Sequence, residues 1–166
     1  MLNALSIETA VLTGNSLGGW MALKFATAYP ECVSALVLIA SAGLAQVNSQ
    51  FILNVGQTRQ KEGTVQVTSD IIGEHNIPKE VLEFMNLIVE SYNPIQELPV
   101  FADEQLLRLN MPVLFLDGEN DVIIDARRSA KRLSSLIPSA EIHLLPDSGH
   151  VVSNSVDYIV PFLSKR

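Results

Sequence analysis

The chain has a single cysteine, Cys32, which excludes an internal disulfide and makes a reducing, cytoplasmic compartment the expectation. No basic residue beside Cys32 in sequence lowers its thiol pKa, so it reads as a small buried side chain. Long apolar runs are missing too. The longest, 35–40 and 113–116, fall far short of the roughly 20 residues a membrane span needs. No basic segment with a cleavable apolar stretch opens the sequence, so neither a membrane anchor nor a signal peptide is expected. Positive charge is scarce: 11 Lys and Arg stand against 18 Asp and Glu, a net charge of -7. That balance excludes nucleic-acid backbones as natural partners. Only three histidines are present, and no pair of His, Cys or carboxylate residues shows metal-ligand spacing, so metal: none is expected. Internal repeats and low-complexity tracts are absent. Apolar residues make up 48% of the 166, enough to exclude disorder and to build the core of one domain.

What the sequence does have is Thr13-Gly14-Asn15-Ser16-Leu17-Gly18-Gly19-Trp20. It follows the apolar run 9–12 and opens a segment, 17–29, in which Leu17, Trp20, Met21, Lys24, Phe25 and Ala28 recur at helical spacing until Pro30 stops it. Strand, sharp turn and helix make the context of a nucleophile elbow. Gly14 and Gly18 are expected where the turn is too tight for side chains, with the Ser16 hydroxyl pushed out above the sheet edge. The first free N–H groups of the helix would point at the same spot. Without its context the pattern is only a Gly/Ser-rich turn. Trp20, Met21 and Phe25 read as core residues.

The remaining chain alternates. Residues 1–5 look like the tail of a helix. Val33–Ala40 is a β-branched and apolar run suited to a parallel strand covered on both faces, ending in Ser41-Ala42-Gly43. Between Leu44 and Asp103 the composition turns polar, with short helical patterns such as 79–92, where Val81, Leu82, Met85, Ile88 and Val89 share a face; His75 reads there as a loop residue. A helix is expected over 101–109, broken at Asn110-Met111-Pro112. A strand over 112–116 follows, then a loop, 117–121, and a helix over 125–136 with Ala126, Ala130, Leu133 and Leu136 inward. Residues 141–145 form the last strand, 146–150 its exit loop and 156–163 a closing helix. This order predicts an α/β fold, a parallel sheet flanked by helices with right-handed crossovers.

A serine hydroxyl needs a general base, and that base needs an orienting carboxylate. Ser16, the carboxylates Asp117, Asp121 and Asp125, and His150 all fall just past the C-terminal ends of predicted parallel strands, so they share one edge. Asp117 also suits a loop-capping role and Asp125 a helix start. His143 alternates inside a strand.

Gly14-Asn15-Ser16-Leu17-Gly18-Gly19, with the pattern behind it, resembles the C-terminal two-thirds of an α/β-hydrolase. The resemblance implies a truncated α/β-hydrolase fold: 1–43 and 104–166 as the core, with four further strands expected upstream, and 44–103 as a helical cap insertion. Gly118-Glu119-Asn120-Asp121 resembles the family's Gly-x-x-Asp and selects Asp121; Gly149-His150 resembles its Gly-His pair and selects His150. The implied site is therefore Ser16 as nucleophile, His150 as base, Asp121 as orienting acid and the Leu17 N–H as oxyanion donor, with no cofactor. The implied reaction is hydrolysis of a small-molecule ester, or of a carbon–carbon bond as in ring-cleavage hydrolases, to which Asn15 is similar; an acyltransferase would use the same triad. Ser16 argues against the dehalogenases and epoxide hydrolases, which use Asp. An N-terminal half encoded upstream would supply the second oxyanion donor. Without it the elbow strand keeps an open edge. The expectation is then a homo-oligomer, a fragment of a longer product, or a catalytically silent binding module.

Overall fold

The computed structural model describes residues 3–51, 71, 78–91 and 98–165. Four strands, β1 (Ala10–Asn15), β2 (Val33–Ile39), β3 (Val113–Gly118) and β4 (Glu141–Leu145), form one sheet in that order. Every neighbouring pair is parallel. Helices α1 (Leu17–Ala28), α2 (Lys79–Ser91), α3 (Asp103–Leu106), α4 (Ala126–Leu136) and α5 (Val156–Ser164) connect or follow them, with short 3₁₀ turns at Asn3–Leu5 and Pro30–Cys32. The parallel sheet flanked by helices is the arrangement the strand-helix alternation predicts.

Burial follows from position in the sheet. β3 is central and buried at all six positions, and β2 is buried except at Ser34 and partly at Ile39. Their uninterrupted apolar runs are what a strand covered on both faces requires. Leu36, Leu38, Val113 and Phe115 meet Leu23 and Ala26 of α1 and Ala130 and Leu133 of α4. Ala35, Val37, Leu114 and Leu116 meet Phe162 of α5 on the opposite face. β1 is the outer strand and its burial alternates. Leu12 packs into the α1 face, while Val11 on the other face is 44% exposed.

The polar segment after β2 is tied to the core at a neck of Gly43, Leu44 and Phe101, by the bridge of Val47 to Ile124, and by the Val151 N–H, which donates to the Ile71 carbonyl at 3.0 Å. The Phe101 N–H donates to the Gly43 carbonyl at 2.9 Å. Arg132 of α4 donates to the Leu44 carbonyl at 2.8 Å and to the Phe101 carbonyl, and pairs with Asp103.

Several expectations are corrected. Met21, expected in the core, is 62% exposed: it falls on the outer side of α1, and helical spacing alone does not say how wide the buried stripe is. Trp20 is half-buried against Phe101, with centroids 5.5 Å apart, and its Nε1–H donates to the Pro99 carbonyl at 2.9 Å. The helix expected over 101–109 is shortened to α3, because Phe101 is held at the neck by its backbone. β3 runs two residues further than expected, taking in Asp117 and Gly118, because both pair with β4, opposite Leu144 and Leu145. In α2 the described apolar side chains, Val81, Phe84, Leu87 and Ile88, are exposed. His75 lies outside the described residues.

Candidate active site

The site stands on the C-terminal edge of the sheet, where loops leaving parallel strands collect. Ser16 joins β1 to α1 with φ 52 and ψ -116, a left-handed conformation that costs a non-glycine residue about 1–3 kcal/mol. The surrounding backbone holds it there. Its N–H donates to the Ile39 carbonyl at 2.9 Å, and its own carbonyl accepts the Trp20 and Ala42 N–H groups, both at 3.2 Å. A Cβ on Gly14 would overlap the Gly18 carbonyl, and one on Gly19 would overlap the Ser41 hydroxymethyl group. At Gly18, however, a Cβ would meet nothing. Close approach therefore requires glycine at 14 and 19, whereas Gly14 and Gly18 were the expected pair; the tight contact is made by the Gly18 backbone, not by any lack of room for its side chain.

Asp121 and His150 come from the loops after β3 and β4, and those loops are tied together. The Glu119 N–H donates to the Leu145 carbonyl at 2.9 Å, the Asn120 N–H to the Ser148 carbonyl at 3.1 Å, and Asn120 Nδ2 to the Pro146 carbonyl at 2.7 Å. Gly118 lies directly beneath the second loop: a Cβ there would overlap the Ser148 and Gly149 carbonyls. With the loops fixed to each other, the distance between their side chains is fixed as well.

The result is a continuous hydrogen-bonded chain. His150 Nδ1 lies 2.7 Å from Asp121 Oδ2, and His150 Nε2 lies 2.9 Å from Ser16 Oγ. A carboxylate can only accept, so Nδ1 carries the proton and donates it to Asp121. Nε2 is thereby left as acceptor for the Ser16 hydroxyl. The Asp121 side chain is fully buried. Its Oδ1 accepts the Ile123 and Ile124 N–H groups at 2.7 and 2.9 Å, so the carboxylate is oriented from both sides and its buried charge is compensated. Leu17 opens α1, and as the first helical residue its N–H has no intrahelical acceptor. This arrangement can activate a hydroxyl and stabilise the imidazolium that results.

The other carboxylates of the edge do different work. Asp125 caps α4, its side chain accepting the Arg128 N–H at 2.9 Å. Asp117, a candidate for the orienting acid that also suited a loop-capping role, instead lies at the end of β3 and is completely buried. Burial first, and then the neighbouring Asp121 charge, push its carboxyl up to about 9. Sequence reasoning missed this environment; the one signal for it was a carboxylate directly continuing the apolar run 113–116. Cluster geometry offers no metal centre, since among the described residues no group of three His, Cys, Asp or Glu side chains could hold an ion. No described helix is long and apolar enough to cross a membrane.

Comparison with known proteins places the chain. A family model described as serine aminopeptidase, S33, matches residues 4–157. The dihydrolipoyllysine-residue acetyltransferase component of an acetoin cleaving system from Pseudomonas putida is 31% identical, over 92% of this chain and 43% of its own length. The hydrolase YugF of Bacillus subtilis is 26% identical, over 92% of this chain and 62% of its own length. The crystal structure of carboxylesterase CesB (YbfK) from Bacillus subtilis superposes with a TM-score of 0.81 at 24% identity, covering 99% of this chain and 63% of that one. The chain thus spans 43% to 62% of the length of these curated relatives. Fold, strand order and family model agree, and the chain belongs to the serine aminopeptidase S33 family of the α/β-hydrolase fold.

Proposed function

We propose that this chain carries the catalytic centre of a serine hydrolase acting on an ester-like bond of a small molecule. Ser16 Oγ attacks the substrate carbonyl carbon while His150 Nε2 takes the hydroxyl proton, and Asp121 stabilises the imidazolium. The carbonyl oxygen, now an oxyanion, is met by the Leu17 N–H at the start of α1. His150 then returns the proton to the leaving alcohol, leaving an acyl-Ser16 ester. Water repeats the sequence, losing its proton to His150, and releases the acid. The observation that carries this reading is the unbroken Ser16–His150–Asp121 chain, with links of 2.9 and 2.7 Å. Relatives named as carboxylesterases lend it further support.

Labelling with a fluorophosphonate probe, alongside turnover of p-nitrophenyl acetate, tests the reading. Wild type is expected to label and Ser16→Ala not to label, with kcat lower by about 10⁴- to 10⁶-fold. A folded wild type that resists the probe would overturn it.

A second property follows from β1. No described strand pairs with its outer edge, and Val11 beside that edge is exposed. Such an edge templates pairing, and we propose that it joins a second copy of the chain. Light scattering after size exclusion is expected to report a dimer or larger species. A monomer at high concentration would exclude the pairing.

A further inference from the structure

Among the described residues, Asp117 is the one charged-type residue that is buried in the core, and the mechanism above does not use it. Its Oδ1 accepts the Gly118 N–H at 2.8 Å. Its Oδ2 is buried and meets no donor, and the carboxyl lies close enough to that of Asp121 for a protonated Asp117 to share a hydrogen bond with it. A bare anion with one free buried oxygen next to a second anion is an arrangement that burial and Coulomb repulsion both oppose. A neutral acid there is compatible with both.

We propose, building on the hydrolase reading, that Asp117 is a positioning residue for the triad: a buried, protonated carboxyl behind Asp121 that leaves the imidazole facing one negative charge instead of two. The Asp121 side chain is held from the loop side by the Ile123 and Ile124 N–H groups and by His150. Asp117 bounds it from the strand side. When Asp117 loses its proton to solvent, two adjacent anions repel. The repulsion loosens the orientation Asp121 imposes on His150, and the extra charge favours the imidazolium, so the base is degraded in two ways.

Among the described residues, the surroundings supply no cation to absorb that second charge. On β3, Asp117 alternates onto the face of Phe115, which α1 and α4 cover. From the adjoining loops come Asp121, His150 and Glu119, the last paired with Arg127 at the surface. On α4, Arg132 is engaged at the neck with Asp103 and two carbonyls, Arg128 and Lys131 are exposed, and the inward polar residue is Ser129, whose buried hydroxyl is likewise without a partner among the described residues. On β4, His143 stacks on Tyr158 of α5, on the other side of the sheet. β2 offers only apolar side chains and Ser34.

The test is a pH titration of the His150 ring nitrogens by NMR in wild type and Asp117→Asn, with fluorophosphonate labelling rates measured over the same range. In wild type the ring signals are expected to take a step with a midpoint at about 9, accompanied by a fall in labelling rate. Asp117→Asn keeps a neutral polar group of the same shape, and is expected to lose that step whatever its rate at neutral pH. A His150 signal that is flat across this range in wild type, or that takes the same step in Asp117→Asn, overturns the proposal. Labelling separates this inference from the one it rests on. A protein that shows the step but resists the probe keeps the Asp117–Asp121–His150 coupling and loses the hydrolase reading; one that labels without the step does the reverse.

Discussion

At the scale of single residues, the site depends on groups that cannot be exchanged for near relatives. Asp121→Asn removes the acceptor that fixes Nδ1 as the protonated nitrogen of His150, and the amide would favour the wrong tautomer. We expect kcat to fall by about 10⁴-fold with KM little changed, measured on p-nitrophenyl acetate. The glycines divide sharply. Gly118→Ala forces a methyl group against the Ser148 and Gly149 carbonyls, and is expected to cost about 1–3 kcal/mol or more in urea unfolding. Gly18→Ala meets no atom in a helical position, and is expected to raise stability by about 0.4–1 kcal/mol. These differences mark where the sequence could be read. Ser16, Asp121 and His150 lie next to short local patterns, each at the end of an apolar run, and local pattern is what a sequence displays. The need for glycine at 19 instead of 18 comes from Ser41, 22 residues away. Likewise the burial of Asp117 comes from strands and helices far along the chain, which no neighbour in sequence announces.

At the scale of elements, strands were more legible than helices. β2 and β3 rest on apolar or β-branched runs and stand where expected, β3 gaining two residues through its pairing with β4, while β4 stands where expected although Glu141 and His143 interrupt its apolar residues. Helical spacing located α1 and α4 but not the depth to which each side chain sinks, as Met21 shows. Arg132 has no local signature at all: its partners are Leu44, Phe101 and Asp103. Because its guanidinium satisfies two backbone carbonyls as well as a carboxylate, Arg132→Lys is expected to destabilise by about 1.5–3 kcal/mol in denaturant unfolding, a loss that retaining the charge does not prevent.

For the whole molecule, Asp117 makes stability depend on pH. Its folded pKa of about 9 lies above the ordinary 3.8, so between these values the folded chain binds more protons than the unfolded one. Stability is therefore greatest below about pH 4 as far as this group is concerned, and declines as pH rises towards 9. Melting temperatures of wild type and Asp117→Asn are expected to diverge with rising pH, the variant becoming progressively the more stable. Equal slopes in the two proteins would remove Asp117 as the cause.

The neck formed by Gly43, Leu44, Phe101 and Arg132 has an architectural consequence. Because these points are already clasped together, the entropy of closing the chain between them changes only slowly with its length. Replacing residues 52–97 by a short Gly/Ser bridge should leave the four-stranded sheet standing, at the loss of the bond from the Val151 N–H to the Ile71 carbonyl, one residue past His150. The sheet would then stand as a scaffold whose folding can be measured apart from that segment.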